Sequence, residues 1–581
     1  MLLFSRTGGG KTFIEFLSGT TPHFARYALP LLAVWLLTRC VRSMLREGYE
    51  PEAWAWLETS SGETALIRHW ECLVGRAKSC DVVVDRKSVS RTHAALIRNG
   101  RGFWKLYDLG SEGGSAVGKT PDTGSGVELY DGDTVRFADV EMVFYGMNEQ
   151  QRSAVDRERS IPGIFISPGV TLLILTVFQV LLLLELAVSL AGDGLFLTAA
   201  LGFAALMLVE WFDYFLMRAM DRSGFEPETL AFFLSTLGMA MVSTSAPEAM
   251  GKQVALLFVG VLLFLLLGWW LRDIGRTRFM RWPVTVAALA LLVINLVAGE
   301  TKYGATNWLT IGGFTLQPSE FVKVAYVYAG AATLDRLFRR RNLFGFIAFS
   351  AACVGALALM GDFGTALVFF VSFLVISFMR SGSFATVFLA VAGAALGVML
   401  VLTVRPYVAQ RFSTWGHVWE DPLGAGWQQT RALSAAASGG LFGVGAGRGW
   451  LKTVVAADMD LMFCLVCEEL GLIIAFCAML ALVALAFFAV RSAARGRSAF
   501  YVIAACSASS MLLVQLSLHV FGSVDLLPFT GVTFPFVSRG GSSLIACWGL
   551  LAFLKAADTR QRASFSVRLS SHDSEEEEEG F

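Results

Sequence analysis

The stretch WEDPLGAGWQ, residues 419–428, sets two carboxylates side by side, Glu420 and Asp421, in a glycine-containing turn flanked by tryptophans. A positioned carboxylate that takes a proton from a hydroxyl is a general base, and adjacent carboxylates repel, so the pair suits proton transfer. Glu-Asp-Pro is equally an ordinary turn opening, with Asp initiating and Pro fixing φ. Residues 404–459 around the pair carry Arg405, Arg411, Arg431, Arg448 and Lys452. Forked guanidinium groups and an ammonium point charge both pair well with phosphate, so this segment reads as a site for an anionic ligand. Contact with lipid headgroups is the alternative.

The elements that must position these residues are membranous. Of 581 residues, 55% are hydrophobic, 46 are Phe and only 16% are charged, and the mean hydropathy is +0.59. This composition excludes an ordinary soluble globular protein. Apolar runs with few charges, several of them about 20 residues long and so enough to cross about 30 Å of hydrocarbon, are expected near 170–192, 195–217, 229–246, 252–272, 281–299, 319–336, 344–361, 364–379, 384–403, 460–490, 499–520 and 541–556. Residues 24–45, within an amino-terminal segment 1–50, read as a further anchor, and a removed signal peptide is disfavoured by the lack of a small-residue cleavage site. The stretch SRTGGGKT at 5–12 imitates a phosphate loop without the first glycine or a preceding strand, and is read as a glycine-rich terminus. Residues 53–147 differ: short alternating runs separated by Gly, Asp and Ser predict a β-sandwich, joined to the spans by a linker at 148–168. The fold expected is therefore mainly α, a polytopic helical membrane protein with a small β-sandwich.

Lys and Arg are 47 and Asp and Glu are 47, so only their distribution informs. Arg218, Arg222, Arg272, Arg276, Arg278, Arg281, Arg336, Arg380, Arg491, Lys555, Arg560 and Arg562 fall in alternate loops on one side, which the positive-inside rule makes cytoplasmic. The sandwich and the acidic tail within 557–581 share that side. Loops 300–318, 404–459 and 521–540 then lie outside. Six of the nine cysteines sit in apolar segments and read as buried small hydrophobes, the Cys464/Cys467 pair included. No metal ligand set and nothing pointing to nucleic acid is recognisable.

Four stretches in order carry a resemblance: GATNWLTIGGFTLQPSEFVKV at 304–324, GDFGTALV at 361–368, the loop from Arg405 through WEDP to CEELG, and LLPFTGVTFPFVSRGGSSLI at 526–545. Together they resemble the SEDS family (RodA, FtsW and SpoVE proteins). The resemblance implies a ten-span core over 229–556, with the spans within 169–218 as additions. It implies a peptidoglycan polymerase that joins lipid II units by β-1,4 bonds with release of undecaprenyl pyrophosphate. Asp421 falls on the family's catalytic aspartate. Substrate contacts are expected at Arg405, Arg411, Lys452, Glu320, Lys323, Asp460, Gly540, Gly541 and Ser542. Glu320 and Lys323 also read as a buried structural pair, three residues apart on a helix face. The resemblance further implies a class B penicillin-binding protein as partner; a divalent cation remains open, and no other cofactor is identified. The chain departs from the family pattern at Gly361 for proline, Asn307 for arginine, VAADMD at 455–460, and Arg539 for tyrosine before the GGSS motif.

Within 53–147, LVGRAKSCDVVVDRKSVSRTHAALI and LYDGDTVRFADVEMVF resemble a forkhead-associated domain. That resemblance implies an eleven-stranded sandwich and a phosphothreonine-containing protein as partner. Arg76, Ser90 and Arg91 would hold the peptide and phosphate, and His93 would brace the loop. Gly113 stands where the family's asparagine grips the peptide backbone. The leading expectation is a multi-pass plasma-membrane glycosyltransferase of a bacterium, contacting membrane lipids, with its sandwich in the cytoplasm and its catalytic loop outside. A lipid II flippase or transporter, and a non-catalytic division or elongation scaffold, are the alternatives. Transport sites normally lie at the membrane midplane on interrupted helices, whereas this acid lies in an outer loop.

Overall fold

The computed structural model describes residues 21–46, 53–78, 80–99, 102–122, 125–147, 166–190, 195–220, 222, 224–302, 305–311, 314–334, 340–381, 384–404, 412–493, 496 and 498–560. The glycine-rich stretch at 5–12, most of the linker and the acidic tail lie outside them.

Helix α1 (Thr21–Arg46) precedes the sandwich, and α2 (Pro168–Leu190) and α3 (Phe196–Ala219) follow it. The helical core then runs α4 (Glu226–Ser245), α5 (Met250–Trp270), α6 (Ile274–Ala298), α7 (Pro318–Leu334), α8 (Arg340–Met360), α9 (Phe363–Ser381) and α10 (Phe384–Val404). Eight helical segments among the described residues are long and apolar enough to cross a membrane, and Phe363–Met379 and Gly541–Ala556 are shorter apolar helices. The protein is a multi-pass membrane protein. In hydrocarbon every backbone amide needs an internal partner, so such runs close into helices.

The single span expected over 460–490 is two helices, α13 (Met462–Leu470) and α14 (Leu472–Ala493), preceded by α11 (Trp427–Gly439) and the short α12 (Ala457–Asp460). The break falls at Gly471, whose φ is +92° and whose missing Cβ would lie 2.4 Å from the Leu441 carbonyl oxygen. Only glycine tolerates both the left-handed backbone and that approach. Hydropathy is blind to it, because the flanking segments are equally apolar. Helices α15 (Ala499–Ser523) and α16 (Gly541–Ala556) complete the bundle.

The sandwich has eleven strands. One sheet orders β2 (Thr64–Ile67), β1 (Ala55–Thr59), β11 (Val140–Gly146), β10 (Thr134–Phe137), β7 (Ser115–Val117) and β8 (Thr120–Pro121); the other orders β4 (Val82–Val83), β3 (Glu71–Gly75), β5 (Ala94–Arg98), β6 (Trp104–Asp108) and β9 (Val127–Leu129). Alternation builds its core: Val135 and Phe137 of β10 are buried while Thr134 and Arg136 are exposed. The register pairs Leu57 with Phe144 and Leu96 with Leu106.

The β2–β3 connection docks the sandwich on the bundle. His69 Nδ1 lies 2.7 Å from the Gly496 carbonyl, and Trp70 meets Tyr501 edge-on at 6.3 Å. Glu71 accepts from the Ser498 hydroxyl (2.8 Å) and the Ala499 amide (3.0 Å), and pairs with Arg278 at 3.4 Å. Its carboxylate thus caps the amino terminus of α15, where the helix dipole favours an anion. At 1.5 Å per residue, α15 carries the chain about 37 Å from this end of the bundle to the other.

The sandwich end also holds buried ion pairs. Lys555 Nζ lies 2.8 Å from Glu228 with both side chains fully buried, and Arg560 joins Glu226 (2.8 Å) to Asp558 (2.7 Å). Removing one partner of such a pair strands the other charge. Lys555→Met is therefore expected to destabilise the chain by about 3–5 kcal/mol, read as a lower thermal midpoint of the detergent-solubilised full chain, and Glu228→Gln on top of it to recover much of the loss.

Candidate functional site

At the far end of the bundle a cavity of about 460 Å³ opens among residues 305–320, 361–365, 455–460, 528–533 and 539–543. Its first wall is a small antiparallel sheet, β12 (Glu300–Lys302), β13 (Ala305–Ile311) and β14 (Phe314–Leu316), which leads into α7. Asp362 is the polar hub. One oxygen accepts from Asn307 Nδ2 (3.0 Å) and Gln317 Nε2 (3.4 Å), and the other accepts the Thr365 amide (3.0 Å), which caps α9. Burial pushes its carboxyl above the usual range, against the lowering effect of the Thr365 amide. This residue lay within a quoted motif but was not singled out from the sequence; an acid opening an apolar span was the signal.

The opposite wall is wired through α16 and α15. Ser542 Oγ accepts the Gln317 amide at 3.0 Å, and Ser543 Oγ lies 2.8 Å from Thr533 Oγ1. Gln515 donates to Thr533 O at 3.0 Å and accepts from Lys323 Nζ at 2.8 Å. Lys323 pairs with Glu320 at 2.7 Å, both buried. Glu320 lines the cavity, whereas Lys323 is not among the lining residues. Gly540, Ser542 and Asp460 also line the cavity. Gly541 does not: an added Cβ would come within 2.3 Å of Leu256 Cδ1, so this glycine serves the packing of α16 on α5.

Arg539 is the one Lys or Arg among the described lining residues. Its Nε lies 2.6 Å from Asp458 Oδ2, and its amide donates to the Asp458 carbonyl at 2.9 Å, tying the GGSS turn to the 455–460 segment. Burial raises the Asp458 carboxyl, while the Arg539 guanidinium works against that rise. Ala456, a lining residue, has a left-handed backbone (φ 60°), as do Asp525 (φ 61°) and Phe536 (φ 63°) on either side of the 528–533 wall in sequence. Strain of this kind persists only where surrounding contacts over-determine it.

The WEDP turn sits at the rim. Asp525 Oδ1 accepts the Gly416 amide at 3.1 Å, Gln429 Nε2 donates to the Gly522 carbonyl at 3.0 Å, and Gln428 Nε2 donates to Val455 O at 3.3 Å. Phe412 and Val455 line the cavity. The two acids part company: Glu420 pairs with His417 at 2.8 Å, while Asp421 Oδ2 accepts the Ala425 amide of its own turn at 2.9 Å. Asp421 is exposed and is not itself a wall residue. Four stretches far apart in sequence therefore meet in one cavity, and the loop that carries Asp421 is tied to it through Gln428 and Val455.

A family model for the cell cycle proteins FtsW, RodA and SpoVE matches residues 229–563. The chain belongs to this family. The peptidoglycan glycosyltransferase RodA of Mycobacterium tuberculosis is 31% identical over 322 residues, 52% of this chain and 69% of that protein. The probable peptidoglycan glycosyltransferase FtsW of Tolumonas auensis is 32% identical over 358 residues (58% and 92%), and stage V sporulation protein E of Bacillus subtilis 31% over 340 residues (54% and 91%). A forkhead-associated (FHA) model matches residues 72–138. Helices α1 to α3 of this SEDS protein thus lie outside the family match.

Of the cations expected at the SEDS site, Arg405 and Arg411 lie outside the described residues. Lys452 is not among the lining residues: its ammonium donates to the Gly447 carbonyl at 2.6 Å. It holds the loop together instead of lining the wall, a role that sequence position could not distinguish.

The FHA domain brings its expected residues together. The Arg76 amide donates to Ser90 O and the Ala77 amide to Arg91 O, both at 3.0 Å. The Ser90 amide donates to His93 Nδ1 (3.1 Å), and His93 Nε2 faces Gly114 O (3.1 Å), so the ring braces the loop from both nitrogens. Strand β3 docks at Glu71 and ends beside Arg76, which puts these loops at the end of the sandwich away from the bundle. Gly113 is closely packed. An added Cβ there would meet Ala138 Cβ at 2.4 Å. Gly113→Asn is expected to cost about 1–3 kcal/mol of domain stability by overpacking, and not to improve phosphothreonine-peptide affinity measured by anisotropy on the full chain.

Proposed function

We propose that the chain polymerises lipid II at this cavity, on the outer face of a bacterial plasma membrane. The observation that carries the reading is the convergence of the four SEDS stretches on one cavity, with the Asp421 turn tied to its rim through Gln428 and Gln429. The sandwich end carries Arg276, Arg278, Arg281 and Lys555, so the positive-inside rule directs that end to the cytoplasm and the cavity outward.

In the reaction a sugar hydroxyl of one disaccharide unit attacks the anomeric carbon of another, whose bond to the polyprenyl diphosphate breaks. Asp421 takes the hydroxyl proton as the glycosidic bond forms. The electron pair leaves on the diphosphate, whose added charge Arg539 faces from the wall. Gly540, Ser542, Glu320 and Asp460 contact the substrate. A class B penicillin-binding protein would cross-link the product, and a phosphothreonine-bearing protein would occupy Arg76, Ser90 and Arg91 on the cytoplasmic side.

Full-length protein in liposomes with labelled lipid II tests the reading, with and without chelator because diphosphates commonly bind Mg²⁺. A polymerase yields glycan strands. Lipid moved without polymer would make the chain a flippase, and neither result would make it a scaffold.

A further inference from the structure

The loop between α11 and α12 is gripped from two sides. From the family core, Glu469 Oε2 accepts the Gly447 amide at 2.7 Å, and Glu468 accepts the amides of Trp450 (2.9 Å) and Leu451 (3.0 Å). The other grip comes from helices outside the family match. Glu185 of α2, buried, accepts the Ala446 amide at 3.2 Å, and Ser189 donates to the Ala446 carbonyl at 2.8 Å. Tyr27 of α1 meets Phe442 edge-on at 5.0 Å. The glycines of the loop make room for this: an added Cβ on Gly447 would lie 2.5 Å from Ser189 Oγ, and one on Gly445 would lie between Glu185 Oε1 (3.4 Å) and Arg448 Cδ (3.1 Å). Both backbones are left-handed, with φ of +77° and +113°.

Nine residues after Ala446 the chain reaches Val455, where the cavity wall begins. The intervening backbone has little slack, since Lys452 ties back to Gly447 and the amides of 450 and 451 are held. A shift at 445–447 is therefore passed to the segment that carries Asp458 and Asp460.

We infer that Glu185 and Ser189 are positioning residues for glycosyl transfer: from a helix outside the SEDS core they fix the loop that sets the 455–460 wall. The inference rests on the reading of the cavity as the polymerisation site. It also gives the insertion of the FHA domain a geometry. Helices α1 and α2 are antiparallel neighbours, joined at the sandwich end by Arg39, which donates to Thr171 Oγ1 at 3.2 Å, and it is their opposite ends that hold the loop.

The test uses full-length protein and lipid II. Glu185→Leu is expected to lower kcat about tenfold, the scale of a lost hydrogen bond to a charged group, with KM changed less than about twofold. Amides 444–451 should exchange with deuterium faster. Glu185→Gln, which retains an acceptor for the Ala446 amide, should recover most of both effects. Gln179→Leu is the control: on the same helix it removes buried bonds to Glu210 (2.8 Å) and Thr236 (3.0 Å) without touching the loop, and should leave kcat and loop exchange unchanged. An unaltered kcat in Glu185→Leu, or an equal loss in Gln179→Leu, would overturn the inference. Full activity of Asp421→Asn would instead overturn the polymerisation reading, while the exchange data would still report whether the grip exists.

Discussion

Asp421→Asn is expected to lower lipid II polymerisation by about 100- to 10,000-fold, the range that a positioned general base contributes. The substitution keeps the side-chain shape and an acceptor oxygen for the Ala425 amide, so the turn should persist. Asp421 is exposed, and the loop is anchored elsewhere, by Gln428, Gln429 and Asp525. The thermal midpoint should therefore match the parent while polymer formation is lost. Glu420→Gln is the companion: its carboxylate is engaged by exposed His417, and its loss should change the rate little. If the two variants lost activity equally, the pair would act as a unit and the assignment of the base to position 421 would fall.

The second large effect is expected at Arg539. Arg539→Gln removes the cation from the described wall, and losing a fixed donor to developing charge typically lowers kcat by about 100- to 1,000-fold. The same change strands Asp458, so rate alone does not separate chemistry from structure. The double variant Arg539→Gln with Asp458→Asn separates them, because it discharges the stranded carboxylate without returning a cation. Persistent loss of kcat in the double variant, with stability recovered, assigns Arg539 to the leaving group. Recovery of kcat as well would make the arginine a strut for the 455–460 segment. On the facing wall Asn307 donates to Asp362 at 3.0 Å.

The sequence by itself determined the membrane class, the sandwich, the family motifs and the candidate base, because each is written locally. A run of apolar residues must become a helix where no water can satisfy its backbone. Alternation in residues 134–137 must bury one face of a strand. WEDP needs no distant partner to be recognised. Even Gly113 was visible as a departure, though only Ala138 explains why a larger residue does not fit.

What only the tertiary structure decided were the pairings across long separations. Lys452 looked like a substrate cation and turned out to bind Gly447; Gly541 looked like a ligand contact and packs on Leu256. The split of 460–490 depends on Gly471 meeting Leu441, thirty residues earlier, which no window of hydropathy records. Asp362 becomes a hub because β13 and the residue before α7 fold over it, and Glu185 matters because a glycine loop 260 residues later lies against it. Hydrogen bonds act over about 3 Å of space whatever the distance along the chain, so they are set by packing, and packing is settled by all the helices together.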